Sequence, residues 1–145
     1  MITQHYTLVA ETIPHVAQLI QRHIDEEIAS TGLTRLSWAA GSHLRDAEGL
    51  SISQLASALR VGNATTGRLV DRMEADGWVS RSFSKSDRRA QLITPTPKAE
   101  SVLRELEPRQ EELQEAVLAD LSEEERQLLS VLLEKVRQRL MDLRN

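Results

Sequence analysis

"SISQLASALRVGNATTGRLVDRMEADG", residues 51–77, is the stretch whose reading decides the fold. Ser51 and Gln54 have the S-x-x-Q spacing of a capping box, in which the serine oxygen and the glutamine side chain satisfy orphan amides at a helix start. Ile52, Leu55, Ala56 and Leu59 follow on one apolar face, so a short helix is predicted. Val61-Gly62 breaks it, and Asn63 is placed to cap the next helix. In that helix Thr66, Leu69, Val70 and Met73 fall at i, i+3, i+4 and i+7 and face inward, and Gly77 closes it as a C′ residue. Two short helices joined by a glycine-containing turn have the proportions of a helix-turn-helix.

The outward positions of the second helix are Asn63, Ala64, Thr65, Gly67, Arg68 and Arg72. Small residues at the N-terminal end let the helix approach base edges in a major groove, with the arginines reaching bases or phosphates. Ser51, at the start of the preceding helix, is a further candidate DNA contact. A helical hairpin with solvated arginines would show the same pattern, so the flanking sequence has to decide.

Directly downstream, Trp78–Phe83 and Ala90–Thr94 are strand-like, and Ser84–Arg89 joins them. This loop gathers Lys85, Arg88 and Arg89 around one carboxylate, Asp87, in a chain of formal net charge -4. A hairpin after a recognition helix is placed to lay its tip along the neighbouring minor groove, where a narrow groove concentrates negative potential and attracts arginine. Asp87 would hold one arginine by a bidentate pair, so that less entropy is lost on binding. The competing reading is an ordinary solvated turn.

Charge segregation favours the first reading. Residues 1–59 carry 3 basic and 6 acidic side chains, residues 60–98 carry 8 and 4, and residues 99–145 carry 7 and 12. The middle third is therefore a basic island in an acidic chain, the distribution a polyanion-binding element needs if the remainder is to avoid nonspecific contacts.

At the N-terminal side, Ile13, Val16, Leu19, Ile20, Ile24 and Ile28 recur at helical spacing, with Pro14 tolerable in the first turn. Ser30-Thr31-Gly32 ends that helix, and Leu33–Ala47 reads as a second. Its Ala39-Ala40-Gly41-Ser42 run is unusually small, and a glycine inside a helix costs roughly 1 kcal/mol against alanine. At the C-terminal side Leu103, Leu106, Leu113, Val117 and Leu121 mark a fifth helical segment, with a break or kink expected at Pro108. Ser122 and Glu125 repeat the capping-box spacing. Leu129, Leu132, Leu133, Val136, Leu140 and Leu143 then form a stripe of 3 and 4 steps, the pattern of a packing seam.

Composition excludes several function classes. Cysteine is absent from the 145 residues, which removes disulfides, thiolate metal sites and cysteine nucleophiles. His5, His15, His23 and His43 are scattered, so no metal site is expected, and none of the common hydrolase, phosphate-loop or zinc-protease motifs occurs. Neither an enzyme nor a cofactor is expected. Aromatic residues make up 3% of the chain, too few for a stacking platform for single-stranded bases. No apolar run approaches the ~18 residues that cross a bilayer, and "MITQHYTLVAETIPH" lacks the features of a signal peptide, so a cytoplasmic protein without membrane association is expected.

Taken in order, the Ser51 helix with Leu55-Ala56, Arg68-Leu69-Val70-Asp71-Arg72-Met73-Glu74, Gly77-Trp78-Val79-Ser80-Arg81 and Asp87-Arg88-Arg89 resemble the winged helix-turn-helix core of the MarR (multiple antibiotic resistance regulator) family. "GLTRLSWAAGSHL" and "LSEEERQLLSVLLEKV" are similar to its second and last helices, so the likeness spans nearly the whole chain. It implies a mainly α fold with a small β-hairpin wing, a DNA-binding domain over 33–95, and a helical dimerisation region formed by 1–32 and 96–145.

The implied function is a homodimeric transcriptional regulator, usually a repressor, on pseudo-palindromic double-stranded DNA, released by a small, often aromatic, effector. On this resemblance Ala64, Thr65, Gly67 and Arg68 enter the major groove, Arg89 oriented by Asp87 is the wing arginine, and Arg88 meets the backbone. Gly67 stands where the family usually has Thr or Ser, Thr66 where it has Val, and Pro95 and Ala99 where Leu and Gly are common. The resemblance places an effector pocket near the first, second and fifth helices, with Trp38, Gly41, Ser42 and His43 as candidate lining; closer packing of the helices is the competing account of the small residues. Leu129, Leu133, Val136 and Leu140 are the candidate dimer interface. A ligand-insensitive architectural or antirepressor protein of the same fold stays open as an alternative, which site-specific binding to one operator would separate from the regulator.

Overall fold

The computed structural model describes residues 7–47, 49–84 and 91–144 and divides into two compact units, Met1–Glu107 and Pro108–Asn145. In the first unit a π-helical stretch, Leu8–Thr12, runs into α1, Ile13–Ile28. There follow α2 (Arg35–Arg45), α3 (Ile52–Leu59), α4 (Asn63–Ala75), β1 (Val79–Phe83), β2 (Gln91–Pro95) and the start of α5 (Pro97–Val117). The second unit holds the end of α5 and α6 (Glu123–Asp142). The architecture is mainly α with one antiparallel hairpin, as the sequence leads one to expect.

Capping chemistry sets the helix starts. Ser51 Oγ accepts from the Gln54 amide at 3.2 Å, and the Ser51 amide donates to Gln54 Oε1 at 2.9 Å. Ser122 and Glu125 close the same reciprocal pair at the start of α6. A third box lies at α2, where Thr34 Oγ1 accepts from the Ser37 amide and the Thr34 amide donates to Ser37 Oγ at 2.7 Å. That box starts α2 at Arg35 rather than at Leu33, whose side chain is buried in the core instead.

Pro108 does not break α5, which runs through it from Pro97 to Val117. The proline removes one amide donor from a long helix, a local loss that the turns on either side tolerate, and the division between the two units falls at this residue.

The core of the first unit is aliphatic. Ala40 and Leu44 of α2, Leu55 of α3, Val70 and Met73 of α4, Val79 of β1 and Ile93 of β2 close on one another, with Trp78 and Ala99 at its margin. Leu50 adds a single bridging residue to the hairpin: its amide donates to Ile93 O at 3.2 Å, and its carbonyl oxygen accepts from the Ile93 amide at 2.8 Å. Gly41 sits where α2 meets α5; a Cβ there would lie 3.1 Å from Leu103 Cδ1, so the missing side chain is what allows the close approach.

Candidate nucleic-acid interface

The four residues expected to face inward from α4, namely Thr66, Leu69, Val70 and Met73, are all buried. Thr66 is fully buried, and its hydroxyl donates to Gly62 O at 3.0 Å. That carbonyl also receives the Thr66 amide, so Gly62 in extended conformation is the N-cap, and Asn63 is the first helical residue rather than the cap. No side chain caps this start. At the other end the Trp78 amide donates to Met73 O at 2.8 Å and the Gly77 amide to Glu74 O at 3.0 Å, with Gly77 at φ +76. These are the two bonds of a Schellman motif, which confirms Gly77 as C′.

The turn between α3 and α4 departs from the sequence reading. Arg60, not Val61-Gly62, ends α3, in the left-handed region at φ 57 and ψ 38. Among the described residues it is the single non-glycine residue with positive φ. Such a conformation costs on the order of 1–3 kcal/mol and is held here by its amide, which donates back into α3.

With one face of α4 committed to the core, Asn63, Ala64, Thr65, Arg68 and Arg72 are exposed, and Gly67 is half-buried. Arg68 and Arg72 make no ion pair with another described residue. The helix therefore presents small side chains at Ala64, Thr65 and Gly67 and, from Arg68 onward, guanidinium groups without an ion-pair partner among the described residues. Ser51 is half-buried, its hydroxyl engaged in its own cap.

Three contacts fasten this helix to the hairpin and to α5. Arg81 on β1 donates to both Asp71 and Glu74 of α4. The hydrogen bond to Asp71, with a further contribution from Glu74, holds its guanidinium above the ordinary arginine range, against a smaller opposing effect of burial. Lys98, in the first turn of α5, donates to Asp76 O at 2.9 Å and lies 4.1 Å from the centroid of the Trp78 ring, so one cation satisfies the C-terminal end of α4 and covers the core tryptophan. Thr96 Oγ1 donates to Gly77 O at 2.7 Å and accepts from the Ala99 amide, tying the Gly77 turn to the start of α5. Arg81, Lys98 and Thr96 were not assigned site roles from the sequence. Arg81 and Asp71 are ten positions apart, outside any periodic signal, and only the return of the chain through β1 joins them.

β1 and β2 pair antiparallel from Val79↔Pro95 to Phe83↔Gln91. The candidate wing residues Lys85, Asp87, Arg88 and Arg89 lie outside the described residues.

Of the four candidate effector-pocket residues, His43 borders an open crevice. The crevice, of about 540 Å³, is lined by Gln21, Thr34, Arg35, Leu36, Ala39, His43, Ala58 and Leu59, so Trp38, Gly41 and Ser42 do not border it. Trp38 packs half-buried against the core, Gly41 meets Leu103, and Ser42 Oγ donates to Trp38 O at 3.1 Å. Arg35 is paired with Asp25 at 3.0 Å. Among the described residues no group of three or more His, Asp or Glu is placed to hold a metal, and no helix is long and apolar enough to cross a membrane.

Within the second unit, Leu129, Leu133, Val136 and Leu140 of α6 are between 38% and 54% exposed in the single chain, and Leu128, Val131, Leu132 and Met141 of the same helix are also exposed. On α1 of the first unit, Val16, Leu19 and Ile20 are exposed in the same way.

Residues 33–90 match the sequence model of the MarR family. Among characterised relatives, the transcriptional regulator PecS of Dickeya dadantii is 29% identical over 140 residues, spanning 94% of this chain and 84% of PecS. Among solved structures, the S. aureus MepR–DNA complex superposes with a TM-score of 0.86 at 18% identity, covering 95% of this chain and 99% of MepR. Bordetella bronchiseptica BpsR, a protein whose DNA binding is regulated by 6-hydroxynicotinic acid, superposes with a TM-score of 0.77 at 24% identity, covering 89% of this chain and 92% of BpsR. At these identities the two structural likenesses establish the fold.

Proposed function

We propose that the chain is a DNA-binding transcriptional regulator of the MarR family, whose sequence model its residues 33–90 match, and that it acts as a repressor: a homodimer on a pseudo-palindromic operator, released by a small-molecule effector. In this reading residues 33–95 bind the DNA, and 1–32 with 96–145 form the dimerisation region.

The observation that carries the proposal is the division of α4. Its inward face is wholly spent on the core, while Asn63, Ala64, Thr65, Arg68 and Arg72 stand outward with nothing in the described chain to occupy them. A helix held at both ends and bare along one side is a reading element. Ala64, Thr65, Gly67 and Arg68 enter the major groove, Arg72 and Ser51 meet phosphates, and Lys85, Arg88 and Arg89, with Asp87 orienting Arg89, supply the wing contact.

Two copies are needed for a second reason. Burying one leucine is worth about 1.5–3 kcal/mol, and the exposed row on α6 centred on Leu129, Leu133, Val136 and Leu140 would forgo that gain several times over in a monomer. A two-fold dimer buries the row and places two reading helices about one DNA turn, ~34 Å, apart. The effector is a small aromatic molecule in the crevice beside His43: Leu36, Ala39, Ala58 and Leu59 hold the ring, and His43 supplies a polar contact.

The test is Arg68→Ala against the operator and against every single-base variant of it. Loss of about 1–3 kcal/mol, concentrated at one base pair per half-site, is the expected result. A loss spread evenly over all variants would reduce Arg68 to a phosphate contact, and no loss would remove α4 from the interface.

A further inference from the structure

Two of the six glycines lie inside helices, Gly41 in α2 and Gly67 in α4. Gly41 has a reason within the chain, because a Cβ would press on Leu103 at 3.1 Å. Gly67 has none among the described residues: a Cβ there meets no heavy atom of theirs within 4 Å, and the backbone is ordinary right-handed helix. Any residue but proline would strengthen the helix, since glycine is the poorest helix former after proline. The open space is therefore of use to something other than the described part of the chain.

Its position says what that is. Gly67 lies one turn beyond Asn63 and Ala64 and one turn before Asp71, which Arg81 holds against β1. It is thus on the side of α4 toward the hairpin, in the half of the helix that presents Thr65 and Arg68.

We propose that Gly67 is a specificity-determining position, at which the edge of a base pair comes against the bare helix backbone more closely than any side chain would permit. The class of group recognised is an apolar one, the 5-methyl of thymine, because the Cα of glycine next to the Ala64 methyl offers van der Waals contact and no hydrogen-bonding side chain. This rests on the placement of α4 in the major groove proposed above.

The test compares wild type with Gly67→Ala and Gly67→Thr in thermal unfolding and in binding to the wild-type operator and its single-base variants. Gly67→Ala should raise Tm by about 2–4 °C, which shows that the variant is folded and that the glycine is not kept for stability. It should weaken binding to the wild-type operator at least tenfold, and Gly67→Thr more so. Replacing thymine by uracil at the same position should weaken wild type severalfold and leave Gly67→Ala unchanged. Unaltered affinity and base preference in both variants would overturn the proposal. So would a loss equal for all operator variants, which would put sugar–phosphate rather than a base edge against the helix. If wild type itself shows no base preference anywhere, it is the reading role of α4 that fails, a result distinct from either.

Discussion

Arg81→Ala is the substitution that most directly probes how the hairpin is held to α4. The Arg81 side chain is 19% exposed, while its partners Asp71 and Glu74 are 69% and 42% exposed. Exposed ion pairs are worth about 0.2–1 kcal/mol, and charge-assisted hydrogen bonds to a well-covered group about 1.5–3. With one mostly covered partner and two wet ones, a total of about 1–2 kcal/mol follows. Removal also leaves Asp71 and Glu74 as uncompensated like charges one turn apart, adding a few tenths.

Urea unfolding should show a lower midpoint with an unchanged slope, and operator affinity should fall about tenfold as β1 loses its fixed angle to α4. Arg81→Lys should recover part of the stability, because a single ammonium cannot fork to two carboxylates. Because the folded guanidinium titrates above its unfolded value, its stabilisation is complete below the ordinary arginine range and is lost only as pH rises past it, so its own titration contributes no pH dependence between about pH 6 and 9. The reasoning is refuted if Arg81→Ala and Asp71→Ala lower stability additively in a double-mutant cycle, since the two side chains would then not be coupled.

Leu133→Asp should leave a monomer in sedimentation where wild type is the proposed dimer, because it removes about 1.5–3 kcal/mol of apolar burial per copy and sets a charge in the seam; a dimer that persists would place the interface elsewhere. Gly41→Leu should destabilise by about 1–3 kcal/mol in thermal unfolding, as the added side chain is forced against buried Leu103, whereas the other helix glycine responds to Gly67→Ala with a gain; a neutral Gly41→Leu would mean the α2–α5 contact is loose.

Much of the fold was legible because its signals are local. The capping boxes at Ser51 and Ser122, the inward set of α4 and the αL role of Gly77 depend on a few neighbouring residues, and each stands as the spacing indicates. The Thr34 box escapes the sequence pattern because its N3 residue is Ser37, a shorter side chain than the Glu or Gln of the usual pattern. Residue preference points to Asn63 as the cap, whereas the buried Thr66 hydroxyl bonds the Gly62 carbonyl and the cap falls one residue earlier. Leu50 pairs through a single bridge, too short to leave any alternation. Arg81 and Lys98 acquire their partners only when the chain returns, so charge counting saw them as part of a basic island and not as fasteners. The apolar rows on α1 and α6 were plain in the sequence, and their exposure in the single chain is what turns a packing seam into a candidate interface.

The central claim, a dimer that reads one operator, is tested most directly by selecting duplex DNA from a random pool with the purified protein and titrating the selected sequence with salt. Enrichment of an inverted repeat with half-sites one turn apart is predicted. Two protomers contacting together about 6–8 phosphates should lose affinity about a thousandfold or more between 50 and 200 mM salt. Failure to enrich any sequence, with weak binding to every duplex, would contradict the claim and leave a sequence-independent architectural protein in its place.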